Sequence, residues 1–66
     1  MEYVHRGCVF EYYVLPETGT GLYVADGYLK SDLNIRRRTA TLPTEREAVL
    51  AFMEWAKLIA DAKKAP

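Results

Sequence analysis

Apolar and polar residues follow two different periods along this chain. Through the first two thirds they alternate, as is typical of strands, and Pro and Gly residues interrupt the alternation. In the last third, apolar residues lie three or four positions apart, which is the period of a helix. The pattern predicts strands over residues 3–15, 22–30 and 35–42 and a helix over residues 44–63.

The connections between these elements are short. Residues 16–21 form a turn, because a proline and two glycines interrupt the chain there, and residues 31–34 are a short polar link. Strands joined by short links pair antiparallel as neighbours. Residues 1–66 are therefore predicted to form one α+β domain (βββα), a three-stranded antiparallel meander with a C-terminal helix packed on one face.

The helix has clear signals at both ends and along one side. Thr44 is a favoured N-cap, and Glu47 lies three positions later, so the two can form a capping box. Lys63 and Lys64 suit the negative end of the helix dipole. The stripe predicted to be buried consists of Ala48, Val49, Phe52, Trp55, Ala56 and Ile59, whereas Leu50 and Leu58 lie outside it.

The strand faces follow from alternation. Cys8, Phe10, Tyr12 and Val14 carry no charge and should face the helix. In the second strand Ala25 and Gly27 are small and should leave room for Phe52 and Trp55. In the third strand Ala40 and Leu42 are assigned inward, and Thr39 and Thr41 outward. A bulge at Gly7 or Gly27 would shift these registers.

These registers leave one sheet face without a covering element. The candidate interface on that face consists of Tyr3, Val9, Tyr13, Leu22, Val24, Tyr28 and Ile35. An antiparallel sheet with one wet side should be polar there. Such an apolar and aromatic face, rich in Tyr, predicts that a partner covers it.

Size and composition favour a second copy as that partner. A core built from 66 residues is marginal without a disulfide, a metal or oligomerisation. One cysteine excludes an internal disulfide, and one histidine argues against a structural zinc site. We therefore expect a homodimer, with a different protein as the other possible partner.

The sequence also predicts a cytoplasmic protein without a membrane span. It has a lone cysteine, no long apolar run and an N-terminus unlike a signal peptide.

No residue set predicts an enzyme, a cofactor or a metal site. His5 has Glu11 on its own face, but six strand residues span about 20 Å, too far for a hydrogen bond. Cys8 is more simply interpreted as a core residue than as a nucleophile, because free cysteine is among the most buried residue types. The Gly-Thr-Gly run at residues 19–21 lacks the lysine and the helix of a phosphate-binding loop, so it is interpreted as a hairpin turn.

Nucleic acid is the alternative partner, through Arg36, Arg37 and Arg38 on the sheet. At most two of these arginines share a face of a strand, and Arg on an outer strand also protects against edge aggregation. The net charge of zero argues against nucleic acid, because a dedicated binder normally carries a basic excess.

Two segments carry a resemblance. His5-Arg6-Gly7-Cys8-Val9-Phe10-Glu11 with Pro16, and Pro43-Thr44-Glu45-Arg46-Glu47-Ala48 with Trp55, Ala56 and Ile59, resemble the opening strand and closing helix of short bacterial proteins of uncharacterised function. The resemblance implies a stand-alone strand–strand–strand–helix unit and no activity. The element order is also similar to that of the small arm-type DNA-binding domains of phage integrases, as a likeness of fold alone.

Overall fold

A computed structural model describes residues 1–64 as a four-stranded antiparallel sheet followed by one helix. The elements are β1 (Glu2–His5), β2 (Cys8–Pro16), β3 (Tyr23–Leu29), β4 (Asp32–Arg38) and α1 (Glu45–Lys64). Neighbours in the chain are neighbours in the sheet, in the order β1-β2-β3-β4. The α+β class, the antiparallel meander and the C-terminal helix are confirmed, and the prediction of three strands is wrong.

The extra strand arises because the predicted first strand is a hairpin. His5 pairs with Cys8, so Arg6 and Gly7 alone form the turn, with φ values of 51° and 79°. Positive φ at both central residues is the geometry of the two-residue turn that matches strand twist. Gly7 adopts it without strain, whereas Arg6 is a non-glycine residue in the left-handed region.

This turn reverses the expected orientation of β1. Tyr3 pairs with Phe10, which is fully buried beneath the helix, and paired residues share a face of the sheet. Tyr3 therefore packs against the core from the helix side. Its predicted place on the uncovered face is wrong. The prediction treated residues 3–15 as one continuous strand, whereas the turn at Arg6 and Gly7 divides them into two.

The last strand begins earlier than predicted and contains an irregularity. Tyr28 pairs with Arg36 and Leu29 with Asp32, so residues 33–35 have no counterpart in β3. Gly27 lies under the helix and pairs with Arg37, which places Ile35, two residues before Arg37, on the helix side as well. Ile35 packs against the core there, and its predicted outward orientation is wrong.

A second irregularity lies between Thr39 and Leu42 and places both residues on the helix side. The Thr39 N–H donates to the Ala25 carbonyl at 2.8 Å, and the Thr39 Oγ1 accepts from the Ala25 N–H at 2.9 Å. Leu42 then bridges to Tyr23, so two residues of this segment lie opposite one residue of β3. Thr39 is therefore buried and Ala40 exposed, opposite to the prediction, whereas Leu42 packs inward and Thr41 is exposed, as predicted.

The helix agrees with the prediction to within one residue at each end. Thr44 caps it, since its Oγ1 accepts a hydrogen bond from the Glu47 N–H at 3.1 Å. Along the predicted stripe Ala48, Phe52 and Ala56 are fully buried, and Ala60 joins them one turn later. The other members, Val49, Trp55 and Ile59, are half-buried against the core. Leu50 and Leu58 are exposed, as predicted.

Phe52 is the centre of the core. Its ring stacks on Tyr12 at 5.3 Å and contacts Phe10 and Trp55 at centroid distances of 6.3 and 5.4 Å. Gly27 lies directly beneath it, because a Cβ added there would lie 2.6 Å from the Phe52 Cζ. The predicted fit of a large aromatic over a small sheet residue is confirmed, and it fixes which face of the sheet remains uncovered.

Candidate interaction surface

The sheet face turned away from α1 is called the outer face here. Residues paired across strands share a face, and the neighbours of buried Tyr12 and Gly27 point away from the helix. The outer face consists of Glu2 and Val4 from β1; Val9, Glu11, Tyr13 and Leu15 from β2; Val24, Asp26 and Tyr28 from β3; and Arg36 and Arg38 from β4.

The sequence placed part of this surface correctly. Val9, Tyr13, Val24 and Tyr28 lie together on the outer face, on the two central strands. Leu22 lies in the turn before β3 and is half-buried. Tyr3 and Ile35 lie on the helix side, as described above.

Two apolar side chains on the outer face were missed. Val4 is 58% exposed and lies opposite Val9, and Leu15 is 42% exposed and lies opposite Val24. Alternation from Val9 already places Leu15 on this face, so the signal was present in the sequence. Val4 could be found only by recognising the Arg-Gly turn.

The outer face also carries ion pairs. The Met1 amine lies 3.0 Å from Glu11 Oε1, and this hydrogen bond lowers the pKa of Glu11. The Lys30 Nζ donates to Glu2 Oε2 at 2.8 Å, which raises the pKa of Lys30. The Glu11 carboxylate in turn raises the pKa of Tyr13. The face is therefore an apolar and aromatic surface crossed by charges, more polar than predicted.

One row of paired residues across the sheet has acidic side chains at one end and a basic side chain at the other. Glu2 pairs with Glu11, Glu11 with Tyr28, and Tyr28 with Arg36, so the row runs from two carboxylates on β1 and β2 to a guanidinium on β4. Arg36 makes no ion pair with any residue in 1–64. One row further along, Arg38 is neutralised by Asp26 at 3.2 Å.

The arginine run divides between the two faces, as alternation requires. Arg36 and Arg38 lie on the outer face, and Arg37 lies on the other, because its partner Gly27 faces the helix. All three are exposed on β4, which is the last strand of the sheet. This position fits both the protection of a sheet edge and contact with a partner.

His5 has an acidic partner that the sequence did not identify. Its Nε2 lies 2.9 Å from Asp61 Oδ1, and Arg6 Nη1 reaches the same oxygen at 3.3 Å. The hydrogen bond from His5 lowers the pKa of Asp61, and Arg6 adds to the effect. These contacts tie the first hairpin to the last turns of α1, across 56 positions of sequence.

The His–Asp pair lies on an exposed part of the surface. Residues 1–64 contain no pocket and no cluster of ligand side chains suited to a metal. Cys8 pairs with His5 across the hairpin, but it is half-buried against the core, as predicted.

Comparison with known proteins does not indicate what this surface binds. No family model, no curated protein and no solved structure matches the chain. In the part of the chain that the structure describes, α1 is too polar to cross a membrane.

Proposed function

We propose that this chain is a small non-catalytic interaction domain that self-associates through its outer face. The observation that carries the proposal is that Tyr13 and Leu15, each about half exposed, are neighbours on β2, on a sheet face that the helix does not cover. Exposed Val4 lies on the same face toward the other end of the sheet. Exposed apolar and aromatic side chains on an uncovered sheet face mark interaction sites. The free thiol of Cys8 is consistent with a reducing compartment, and we place the activity in the cytoplasm.

The composition of the outer face supports a protein partner. Most outer-face residues of the two central strands are apolar or aromatic, with Glu11 and Asp26 among them, and Glu2, Arg36 and Arg38 lie on the edge strands. Tyrosine at the centre with a polar rim is typical of protein–protein interfaces. A second copy is favoured because one helix over one sheet gives a core too small for much stability, and association would add to it.

The size of the face sets the expected affinity. Four strands about 4.8 Å apart, with seven residues at about 3.4 Å in the two last strands, cover roughly 450 Å² in projection. Each partner in a standard interface buries about 800 Å². We therefore expect a weak dimer, with a dissociation constant in the micromolar range or above.

Sedimentation velocity over about 10–500 µM chain tests the proposal with two matched variants. Leu15→Glu puts a charge on the outer face, and Leu58→Glu puts the same charge on the far side of the helix, where Leu58 is 70% exposed. We expect the wild type and Leu58→Glu to dimerise with equal affinity and Leu15→Glu to remain monomeric. A monomeric wild type would overturn self-association and leave a different protein as the partner. Loss of the dimer in Leu58→Glu alone would move the interface to the helix.

Nucleic acid is the second candidate, favoured by one observation. Arg36 lies beside Tyr28 on the outer face, so a guanidinium and an aromatic ring are available together for a backbone phosphate and a stacked base. Glu2 and Glu11 in the same row repel phosphate, which ranks this function second. Fluorescence anisotropy with random single-stranded and duplex oligonucleotides at about 50 mM salt tests it. Binding that weakens steeply with salt would support it, and no binding would eliminate it.

A further inference from the structure

The charges of the outer face are unevenly distributed across the sheet. Its first two strands carry the carboxylates of Glu2 and Glu11, and its last strand carries the guanidiniums of Arg36 and Arg38. The Met1 amine pairs with Glu11, the Lys30 amine pairs with Glu2, and Asp26 pairs with Arg38. Arg36 remains the charge without a partner in residues 1–64, and it lies at the opposite end of its row from Glu2.

Two identical sheets can stack face to face about a two-fold axis in one of two in-plane directions. An axis perpendicular to the strands places β1 over β1 and β4 over β4 of the second copy. The arginines Arg36 and Arg38 of the two copies then meet at the β4 edge of the interface, which costs free energy. An axis parallel to the strands, through the middle of the sheet, places β1 over β4 and β2 over β3, so opposite charges meet.

We infer that two copies of this chain pack their outer faces about a two-fold axis parallel to the strands, with Glu2 of each copy on Arg36 of the other. The inference rests on the self-association proposed above and specifies its geometry. Stacked sheets lie about 10 Å apart, a gap that a glutamate and an arginine can close from opposite sides.

The other rows agree with this arrangement. The axis places Glu11 over Tyr28 of the second copy, which can donate its hydroxyl to the carboxylate. It also places Leu15 over Val24, which is only 8% exposed within its own chain, so exposed Leu15 supplies most of the apolar contact at that end of the interface. Arg38 comes near the second copy's N-terminal amine, but Asp26 and Glu11 already neutralise these two cations within each chain.

Complementary charge reversal tests the geometry in full-length chains. Arg36→Glu and Glu2→Arg should each weaken homodimerisation about fivefold or more at low salt, because two equivalent contacts become repulsive. When the two variants are mixed, both contacts become attractive, so the heterodimer should form with close to wild-type affinity. Native mass spectrometry resolves the three dimers by mass, and circular dichroism checks that each variant is folded.

Arg37→Glu is the matched control, since it changes the same charge on the same strand but on the other face. We expect it to dimerise as the wild type does. If the wild type dimerises but the mixture shows no preference for the heterodimer, the axis is wrong and self-association still stands. If Arg37→Glu weakens the dimer as much as Arg36→Glu, net charge alone explains the effect and the specific contact is refuted. A monomeric wild type overturns both proposals.

Discussion

Phe52→Ala tests whether the core has a single centre. Phe52 is completely buried, and its ring contacts Phe10, Tyr12 and Trp55, so its removal leaves three aromatic side chains around an unfilled space. Truncation of a buried Phe typically costs about 3–5 kcal/mol, through lost transfer free energy and the cavity. A domain of this size has about 3–5 kcal/mol of stability in total. The variant should therefore be largely unfolded at 25 °C.

Urea denaturation followed by circular dichroism and Trp55 fluorescence measures the loss, at a chain concentration low enough to keep the protein monomeric. Leu50→Ala is the control on the same helix, since Leu50 is about half exposed, and it should cost less than about 1 kcal/mol. A Phe52→Ala variant that keeps a cooperative transition and loses less than about 1 kcal/mol would refute the placement of the core. A concentration-dependent loss of melting temperature in Leu50→Ala would place an interface on the helix instead of the outer face.

Three further changes probe local features of the fold. Gly27→Ala should cost about 1–3 kcal/mol in urea denaturation, because its Cβ would collide with the Glu11 backbone carbonyl and lie 2.6 Å from the Phe52 ring, and wild-type stability would contradict this close packing. Thr44→Ala should cost about 1 kcal/mol through loss of the N-cap, with Thr44→Ser as the variant that keeps it. His5 lowers the pKa of folded Asp61, so this stabilisation is present above the unfolded pKa and is lost as the pH falls through the lower folded value. The melting temperatures of wild type and Asp61→Asn should therefore converge as the pH falls through that window, and a gap independent of pH would refute the ionic contribution.

The helix and its buried side could be predicted because several local signals agree there. Thr44 marks the start, and the three-to-four-residue period places Ala48, Phe52 and Ala56 on one side. The strands β2 and β3 alternate without interruption, so Phe10 and its neighbours were oriented correctly. Where local preference and tertiary structure agree, the hydrophobic period alone is sufficient to predict which side chains are buried.

The errors lie where the backbone departs from regular alternation. Arg6 adopts a positive φ that its residue type does not favour, so the Arg-Gly turn lacked the usual Asn-Gly or Asp-Gly signature. The predicted faces of Ile35 and Thr39 were wrong because an extra residue lies between Thr39 and Leu42, so that alternation counted back from Leu42 assigns both to the wrong face. The hydrogen bond between His5 and Asp61 was not predictable, since it joins residues that only the folded sheet and helix bring together.

The most direct test of the interface is an isotope-filtered nuclear Overhauser experiment on a mixture of labelled and unlabelled chains, at a concentration where the dimer forms. The filter retains only contacts between different copies. The proposed axis predicts contacts between the Leu15 methyls of one copy and the Val24 methyls of the other, and none at Leu50 or Leu58. Contacts from Leu15 to Val9 of the other copy would indicate the perpendicular axis, and contacts only at the helix leucines would contradict an interface on the outer face.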